Sequence, residues 1–236
     1  MSEKIRGIFF DFGGTLFDYY PSNVVIWANI AKRLGFDISP SDPRIRRGIR
    51  KQIEAYEKLG KPFSELSSDE LHILNSHVLK ALGIETEGTK ETIVAEFKAR
   101  EQGKQHTIYP DTLETLRNIK EIGIRIGLLS NTDHRLALSR RPTLKENGIL
   151  HYFDVIILSV EVGVQKPQKE IFDIALREIG IKNPAQVMHI GDSPIEDVWG
   201  ARNAGFIPVL FDPMELFSTE NVIKIKTLSD ILHYLK

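Results

Sequence analysis

Several short apolar runs of this sequence end beside side chains that can do chemistry. A carboxylate, a hydroxyl or an ammonium follows each of four such runs: Asp11, Ser130, Lys166 and Asp192. In parallel α/β sheets, ligands bind beyond the carboxyl ends of the strands. If the four runs are strands of one parallel sheet, these side chains meet at one edge of it.

This set of side chains suits phosphoryl transfer. A carboxylate such as Asp11 can attack phosphorus and form an aspartyl phosphate, which divides one difficult step into two. A hydroxyl and an ammonium can hold phosphoryl oxygens and neutralise the charge of the transition state. Two nearby acids, such as Asp192 and Asp197, can bind Mg²⁺, which takes carboxylates, carbonyls and water. Gly13 and Gly14 would let the backbone approach a phosphoryl group closely.

Each of these signals also has a structural explanation. Ser193 and Glu196 have the spacing of a helix capping box. Lys166 can be a solvated loop residue, and the stretch at 130–133 can cap the helix that follows it. Asp11 is harder to explain in this way, because burying an acid behind an apolar run is unfavourable unless the acid is paired or bound to metal.

Hydrophobic patterning predicts an α/β fold with a parallel sheet. Near-continuous runs of Ile, Val, Leu and Phe are typical of strands that are buried on both faces. Such runs lie at 5–10, 125–130, 154–159, 186–191 and 207–211, with a weaker one at 221–225. Helical periodicity separates them, most clearly at 111–123 and 167–180. The alternation of strand and helix from residue 108 onward predicts βαβ units, and hence a Rossmann-like parallel sheet core.

Residues 19–107 have a different pattern, with no comparable strand. Four helix candidates follow one another at 22–35, 44–60, 68–83 and 89–103. The first three end in glycine, and Ser67 with Glu70 forms a predicted capping box for the third. The sequence therefore predicts a helical module inserted after the first strand, with the core at 1–17 and 108–236 and the insert at 18–107.

The composition restricts the class of protein. The chain has 236 residues, of which 42% are hydrophobic and 27% charged, values that are ordinary for a soluble globular protein. A formal net charge of −1 gives no excess of cations to attract nucleic acid or a membrane surface. The absence of cysteine excludes a disulfide framework, a thiolate zinc site and a thiol nucleophile. The opening apolar run is too short for a signal peptide or a membrane span, so we expect a soluble, cytoplasmic protein.

Four motifs, in this order, resemble those of the haloacid dehalogenase superfamily, whose members are mostly Mg²⁺-dependent phosphatases. They are DFGGTL at 11–16, LLSN at 128–131, GVQKPQKEIF at 163–172 and HIGDSPIEDVWGARNAG at 189–205. The motifs extend over nearly the full length, and the helical insert stands where the C1 cap of subfamily I does. The resemblance implies a Mg²⁺-dependent hydrolase that acts on a small phosphorylated metabolite.

The resemblance also implies a role for each matching residue. The catalytic residues would be Asp11, Thr15, Ser130 and Lys166. The residues that bind substrate would be Gly14, Ser130, Asn131 and Lys166. The residues that bind the metal would be Asp11, Gly13, Asp192 and Asp197. Asp11 would be the nucleophile, Lys166 would balance its charge, and Gly13 would offer a backbone carbonyl to the metal. Asp197 would help to hold both the metal site and Lys166.

The sequence departs from the family pattern at Gly13. Phosphatases of this family usually have aspartate there, which protonates the leaving group and then activates water. Losing such a group lowers the rate by about 10²- to 10⁴-fold. Three interpretations remain open: a phosphatase that is slow or uses esters whose leaving groups need no proton; an enzyme that cleaves a carbon–halogen or carbon–phosphorus bond; or a catalytically reduced protein that binds phosphate ligands or a partner. Asp192 and Asp197 favour a metal-bound phosphorus substrate, because dehalogenases of this family generally lack them.

Further features of the sequence allow alternatives. Asp18 could replace the missing acid. A carbon–phosphorus hydrolase would need a cap lysine for a Schiff base, and no lysine of the insert lies in a matching motif. His189 is expected to serve packing rather than ligand binding. The insert also carries a cluster of cations, which is either a solvated helix face or a surface that recognises an anionic leaving group when the cap closes: Arg44, Arg46, Arg47, Arg50 and Lys51.

Overall fold

A computed structural model of the chain describes residues 4–20, 22–61, 65–103, 105–217 and 221–235. The chain divides into two compact units. The first comprises Met1–Asp18, Ile108–Glu215 and Thr219–Lys236, and the second comprises Tyr19–Thr107 and Leu216–Ser218. In the part of the chain that the structure describes, no helix is both long enough and apolar enough to cross a lipid bilayer.

Strands and helices alternate through most of the first unit, and helices dominate the second. The strands are β1 (Gly7–Phe10), β2 (Phe17–Tyr20), β3 (Gln105–Ile108), β4 (Arg125–Ser130), β5 (Val155–Leu158), β6 (Val187–Gly191), β7 (Ile207–Phe211) and β8 (Ile223–Ile225). The α-helices are α1 (Asn23–Arg33), α2 (Pro43–Leu59), α3 (Ser68–Leu82), α4 (Lys90–Gly103), α5 (Thr112–Glu121), α6 (His134–Glu146), α7 (Ser159–Val162), α8 (Lys169–Glu178) and α9 (Gly200–Asn203). Shorter 3₁₀ turns lie at Leu150–Tyr152, Pro184–Gln186 and Leu228–Tyr234, and a π-helical turn lies at Pro194–Trp199.

A six-stranded parallel sheet forms the first unit, as the apolar runs predict. Its strand order is β5-β4-β1-β6-β7-β8, so that β1 is central and pairs with β4 on one side and β6 on the other. All five pairs of neighbouring strands are parallel. The chain therefore leaves β1, β4 and β6 at the same edge of the sheet, and the residues that follow these strands are neighbours.

Both faces of this sheet are covered by apolar side chains. Phe10 of β1 belongs to one buried layer together with Leu116 of α5. Its neighbour Phe9 points to the opposite face and belongs to a second layer with Phe172 of α8. Burial on both faces explains why these strands read as continuous apolar runs rather than as alternating ones.

The second unit contains the four predicted helices, α1 to α4. Trp27, Ile45, Val78 and Ile93, one from each helix, lie in a single buried apolar cluster. Each of α2 and α3 is followed at once by a glycine, as predicted. These contacts account for a helical unit with its own core.

Two details of the second unit bear on the sequence analysis. The predicted capping box is present, with Ser67 accepting from the backbone N–H of Glu70 and the Glu70 carboxylate accepting from that of Ser67. The cations of the predicted basic cluster on α2 are exposed, and Arg44 pairs with Asp42. That exposure is what a solvated helix face requires. Recognition of an anionic leaving group by these cations stays a prediction.

The structure corrects the expectation that the segment 19–107 takes part in no strand. Strands β2 and β3, at its two ends, pair with each other in a two-stranded sheet. Each has only four residues, which is too few to show a period, and each finds its partner at the other end of the insert. Pairing at such long range leaves no local signal in the sequence.

Candidate active site

Asp11 follows the central strand β1 and is buried. Its backbone N–H donates to the carbonyl of Ile190 in the neighbouring strand β6, at 2.9 Å. Its Oδ1 accepts a hydrogen bond of 2.7 Å from Nζ of Lys166, whose side chain is 1% exposed. The structure thus brings together the predicted nucleophile and the predicted charge-balancing cation.

Asp197 holds the ammonium of Lys166 from another side. Oδ1 of Asp197 accepts hydrogen bonds from Nζ of Lys166, at 2.5 Å, and from Nε2 of His189, at 2.8 Å. Its Oδ2 accepts from the backbone N–H of Ser193, at 2.9 Å. Gly191 leaves room for this carboxylate, since a methyl group on it would lie 2.0 Å from Cγ of Asp197. Asp197 therefore positions Lys166, while its place in a metal site stays a prediction.

The charges of Lys166, Asp11 and Asp197 stabilise one another. Burial by itself would lower the pKa of Lys166, but the charges of Asp11 and Asp197 and their hydrogen bonds outweigh burial and raise that pKa. Burial by itself would raise the pKa of Asp197, but Lys166 and the hydrogen bond from His189 hold that pKa well below its usual range. Burial lowers the pKa of His189 in spite of the carboxylate beside it. At neutral pH, Lys166 is therefore an ammonium, Asp197 a carboxylate and His189 a neutral imidazole.

Asn131, at the end of β4, holds the backbone of Lys166. Its Oδ1 accepts from the backbone N–H of Lys166 at 2.8 Å, and its Nδ2 donates to the carbonyl of the same residue at 2.9 Å. The same Nδ2 donates to Oε2 of Glu196 at 3.2 Å. Burial, opposed by Lys166 and reinforced by Asp197 and Asp11, raises the pKa of Glu196 to about 7. The side chain of Asn131 thus positions Lys166, and its predicted part in substrate binding stays a prediction.

The π-helical turn that carries Asp197 differs from the capping box predicted for it. The side chain of Ser193 accepts from the backbone N–H of Glu196 at 3.1 Å, as a capping box requires. The reciprocal bond is absent between these two residues, because the backbone N–H of Ser193 donates to Asp197 and the carboxylate of Glu196 accepts from Asn131. The predicted reciprocal box is therefore wrong, since a second acid one residue further on takes the N–H.

Asp192 follows β6 and lies against the loop that follows Asp11. Gly14 of that loop has a φ of 79°, a backbone conformation that favours glycine. A methyl group on Gly14 would lie 2.3 Å from Oδ2 of Asp192, so only glycine fits. Burial, with the charges of Asp197 and Asp11, raises the pKa of Asp192 well above its usual value, and Lys166 opposes this effect. Asp192 and Asp11 thus share one edge of the sheet.

The remaining residues of the predicted site are Ser130 and Thr15, which carry hydroxyls, and Gly13, where family phosphatases usually have aspartate. Ser130 is 1% exposed at the end of β4, where its Oγ donates to the carbonyl of Asn131 at 3.3 Å. Oγ1 of Thr15 is buried and has no hydrogen-bond partner among the described residues. Gly13 is buried too, with a φ outside the left-handed region. A buried hydroxyl without a partner is unfavourable, so Thr15 suits a site at which a ligand or water supplies the partner.

The donor set fits a small, hard cation such as Mg²⁺. Three acids, Asp11, Asp192 and Asp197, lie around the ammonium of Lys166, so this cluster has more carboxyl groups than ammonium groups among the described residues. Among the described residues, no group of three or more His, Asp or Glu side chains is arranged to hold a metal by itself. Mg²⁺ needs no such group, because it binds through one or two carboxylates and keeps several waters. Asp11, Asp192 and the carbonyl of Gly13 could supply its protein ligands.

Two residues around this site make contacts that were not predicted from the sequence. Arg140 of α6 is 3% exposed, and its guanidinium lies 3.9 Å from the ring centroid of Phe12, next to Asp11. No spacing in the sequence distinguishes it. His189, expected to serve packing rather than ligand binding, packs against Phe172 and also contacts Asp197. A signal for that contact did exist, since residues two apart on a strand share a face and the glycine two residues after His189 leaves space on that face.

Comparison with known proteins identifies the family of the chain. The sequence profile of the haloacid dehalogenase-like hydrolases matches residues 5–205. The chain is 30% identical to the glyceraldehyde 3-phosphate phosphatase of Methanothermobacter thermautotrophicus over 210 residues, which are 87% of this chain and 85% of that protein. It is 36% identical to the glyceraldehyde 3-phosphate phosphatase of Methanopyrus kandleri over 101 residues, which are 43% of this chain and only 42% of that protein.

A solved structure supports the fold. The HAD hydrolase YfnB from Bacillus subtilis, in a form bound to magnesium, matches 99% of this chain and 100% of its own, with a TM-score of 0.61 and 18% identity. Identity at that level speaks for the architecture rather than for the reaction. The family profile covers most of the chain. The phosphatase of Methanothermobacter thermautotrophicus is similar over most of its own length and most of the length of this chain. The chain belongs to the haloacid dehalogenase-like hydrolase family.

Proposed function

We propose that this hydrolase is a phosphatase that cleaves a small phosphate monoester through an aspartyl phosphate at Asp11. The contact that carries the proposal is the 2.7 Å hydrogen bond from Nζ of Lys166 to Oδ1 of Asp11. It supplies a buried carboxylate and a fixed cation at the edge of the sheet where ligands bind. The phosphatases among the relatives support a phosphorus substrate.

The reaction would proceed in two displacements at phosphorus. An oxygen of Asp11 attacks, a bond forms between that oxygen and phosphorus, and the bond from phosphorus to the ester oxygen breaks. Water then attacks the same phosphorus, the bond to Asp11 breaks, and inorganic phosphate leaves. Lys166 would balance the charge of Asp11 and of the phosphoryl oxygens in both steps, and Ser130 would donate to a phosphoryl oxygen.

The proposal includes Mg²⁺ held by Asp11, Asp192 and the backbone carbonyl of Gly13. When bound there, the ion would neutralise charge on the phosphoryl group. The observation that supports this set is the position of Asp192, whose carboxylate lies against Gly14 and shares its site with other acids. Dehalogenases of this family generally lack an acid in that position, so its presence also favours a phosphorus substrate over a carbon–halogen one.

Proton transfer to the leaving group is where this chain differs from its family. Gly13 carries no side chain that could supply the proton. Asp18 is the alternative acid, and its carboxylate shares a hydrogen bond with the hydroxyl of Tyr109. The lack of an acid at residue 13 leaves the leaving group without the proton donor that family phosphatases use. We therefore propose that the enzyme acts fastest on esters whose leaving groups depart without protonation.

The proposed function can be tested by measuring phosphate release with and without Mg²⁺ over a set of esters. The set should include aryl phosphates, glyceraldehyde 3-phosphate, phosphonoacetaldehyde and a 2-haloacid. Asp11→Asn should abolish release, because an amide oxygen is not a nucleophile of this kind. Asp173→Asn serves as the control, since Asp173 is an exposed acid paired with Lys169 on α8.

Three results would contradict the proposal. Equal activity in wild type and Asp11→Asn would exclude Asp11 as nucleophile. Release of halide or acetaldehyde, without release of phosphate from any ester, would favour the other bond-cleaving branches of the family. The absence of all turnover, with phosphate still bound, would favour a catalytically reduced protein.

A further inference from the structure

His189 lies behind the proposed active site, where no substrate can reach it. It is 0% exposed within β6, and the ring of Phe172 packs edge-on against it, with 5.4 Å between ring centroids and an interplanar angle of 87°. Its Nε2 lies 2.8 Å from Oδ1 of Asp197. The imidazole is therefore held on one side by an aromatic ring and on the other by a carboxylate.

The surroundings of the ring define its tautomer. Because Asp197 is a carboxylate and can only accept, Nε2 of His189 must carry the proton of this hydrogen bond. Nδ1 is buried and has no hydrogen-bond partner among the described residues. A proton on Nδ1 would be a buried donor without an acceptor, which is unfavourable. The ring is thus a neutral donor that has one possible acceptor, Asp197.

The hydrogen bond from His189 fixes the oxygen that also holds Lys166. Oδ1 of Asp197 accepts from both groups, and the backbone of Ser193 holds Oδ2. With donors on both oxygens, the carboxylate cannot rotate about its own axis without breaking a bond. The long, flexible side chain of Lys166 therefore ends at an anion whose position is fixed.

We propose that His189 is a positioning residue of the reaction: by holding Asp197 in place, it keeps the ammonium of Lys166 directed at Asp11. The inference rests on the proposed phosphatase function. Its physical reason lies in the intermediate, because Asp11 loses its negative charge when its oxygen becomes bonded to phosphorus. From that moment Asp197 is the remaining carboxylate in contact with Lys166, and its orientation decides whether the ammonium stays on the phosphoryl group.

The kinetic test compares two substitutions at the same buried position. His189→Leu removes the donor and keeps an apolar side chain of similar bulk, whereas His189→Gln places an amide N–H where Nε2 lies. We expect the leucine variant to lower kcat by about 10- to 100-fold with little change of KM, and the glutamine variant to recover most of the loss. Met188→Leu is the control, since Met188 is buried in the same strand but belongs to the other apolar layer.

A second readout needs neither metal nor substrate. The N–H signals of the buried Lys166 ammonium, seen by ¹⁵N NMR, should exchange with water at least tenfold faster in His189→Leu than in wild type or His189→Gln. The ring nitrogens of His189 should show a protonated Nε2 and a bare Nδ1 in wild type at pH 7. If the leucine variant does not fold, His189→Met replaces it. The NMR measurement of the ring nitrogens in wild type still tests whether Nε2 carries the proton.

The outcomes separate this inference from the proposed function. Unchanged kcat and unchanged Lys166 signals in His189→Leu would overturn the inference and leave packing as the role of the ring. A proton on Nδ1 in place of Nε2 would also overturn it. If wild type releases phosphate from no ester while the Lys166 signals still depend on His189, the proposed function fails and the positioning of Lys166 stands. Loss of kcat equal in the leucine and glutamine variants would also count against a hydrogen-bonding role.

Discussion

Nζ of Lys166 and Oδ1 of Asp11 lie 2.7 Å apart, although 155 residues separate them in the sequence. The pair is buried, and the fold brings it together because Asp11 follows the central strand and Lys166 lies in the loop after β5 and α7. Asn131 holds the backbone of Lys166 while Asp197 holds its ammonium. The geometry of this cation therefore depends on several distant segments at once.

Replacing Lys166 with methionine should lower both stability and activity. The change leaves Asp11 and Asp197 buried without their cation, a loss that typically costs about 3–5 kcal/mol. Urea unfolding would measure it. Lys169→Met is the matched control, because Lys169 forms an exposed pair with Asp173 and such pairs contribute about 0–1 kcal/mol. Similar losses in the two variants would contradict the buried pairing.

Replacing Gly14 with alanine should lower phosphate release more than it lowers the stability of the fold. Gly14 and Gly123 both have a φ of 79°, so an alanine at either position is strained, at a cost of about 1 kcal/mol. Only at Gly14 would the added methyl group meet Asp192; at Gly123 nothing lies within 4 Å of it. We expect similar unfolding midpoints for the two variants and loss of phosphate release in Gly14→Ala alone. Retained activity in Gly14→Ala would argue that Asp192 is dispensable.

Mg²⁺ should stabilise the wild-type protein, and Asp192→Asn should remove that effect. At 100 times the dissociation constant, a ligand that binds only the folded state adds about 2.7 kcal/mol. In EDTA the same variant should be more stable than wild type, since it removes one of three acids that crowd around a single ammonium. Thermal unfolding with and without Mg²⁺ measures both effects, with Asp173→Asn as the control. A Mg²⁺ shift that persists in Asp192→Asn would place the ion elsewhere.

Introducing an acid at residue 13 should raise kcat most for alkyl phosphate esters. Gly13→Asp introduces the group that family phosphatases use for proton transfer, and such groups contribute about 10²- to 10⁴-fold. The φ of Gly13 lies outside the left-handed region, so its backbone conformation does not require glycine. We expect a rise in kcat for alkyl phosphates and a smaller one for an aryl ester whose leaving group needs no proton. No gain on any ester would indicate that this site is built for other chemistry.

The capping box of α3 should make the helical unit sensitive to acid. Hydrogen bonds from Lys61 and then from Ser67 lower the pKa of Glu70 from 4.5 to about 2. Because the folded-state pKa is depressed, the stabilisation is complete above pH 4.5 and is lost as the pH falls to about 2. Unfolding of Glu70→Gln should therefore differ from wild type at neutral pH and converge with it near pH 2. Glu87→Gln, an exposed acid beyond the same helix, is the control.

Much of the core could be predicted from local patterns. Runs such as 125–130 and 207–211 coincide with β4 and β7, because continuous burial on both faces leaves a continuous apolar signature. The helix α3 and its capping box were predictable for a similar reason, since the bonds between Ser67 and Glu70 join residues three apart. The pairing of β2 with β3 was not, because neither strand carries a period and each depends on a remote partner.

The active site, like the core, was predictable from the sequence only in part. The types and order of Asp11, Ser130, Lys166 and Asp192 were readable from the chain, because each residue stands at or after the end of an apolar run that must become a strand of one sheet. The partners of those residues were not readable. Glu196 has the spacing of a capping box, yet its carboxylate accepts from Asn131 because Asp197 already holds the N–H that the box would use.

The sequence by itself determined the layout: a parallel sheet, a helical insert, and acids, a hydroxyl and a lysine at a common edge. These follow from hydrophobic burial and strand direction, which act along the chain and leave a pattern in it. Only the tertiary structure decided that Oδ1 of Asp197 is shared by Lys166 and His189, and that Asp192 lies against Gly14. Such contacts join segments far apart in the sequence, and hydrogen bonds of this kind depend on distances of a few tenths of an ångström that no periodicity encodes.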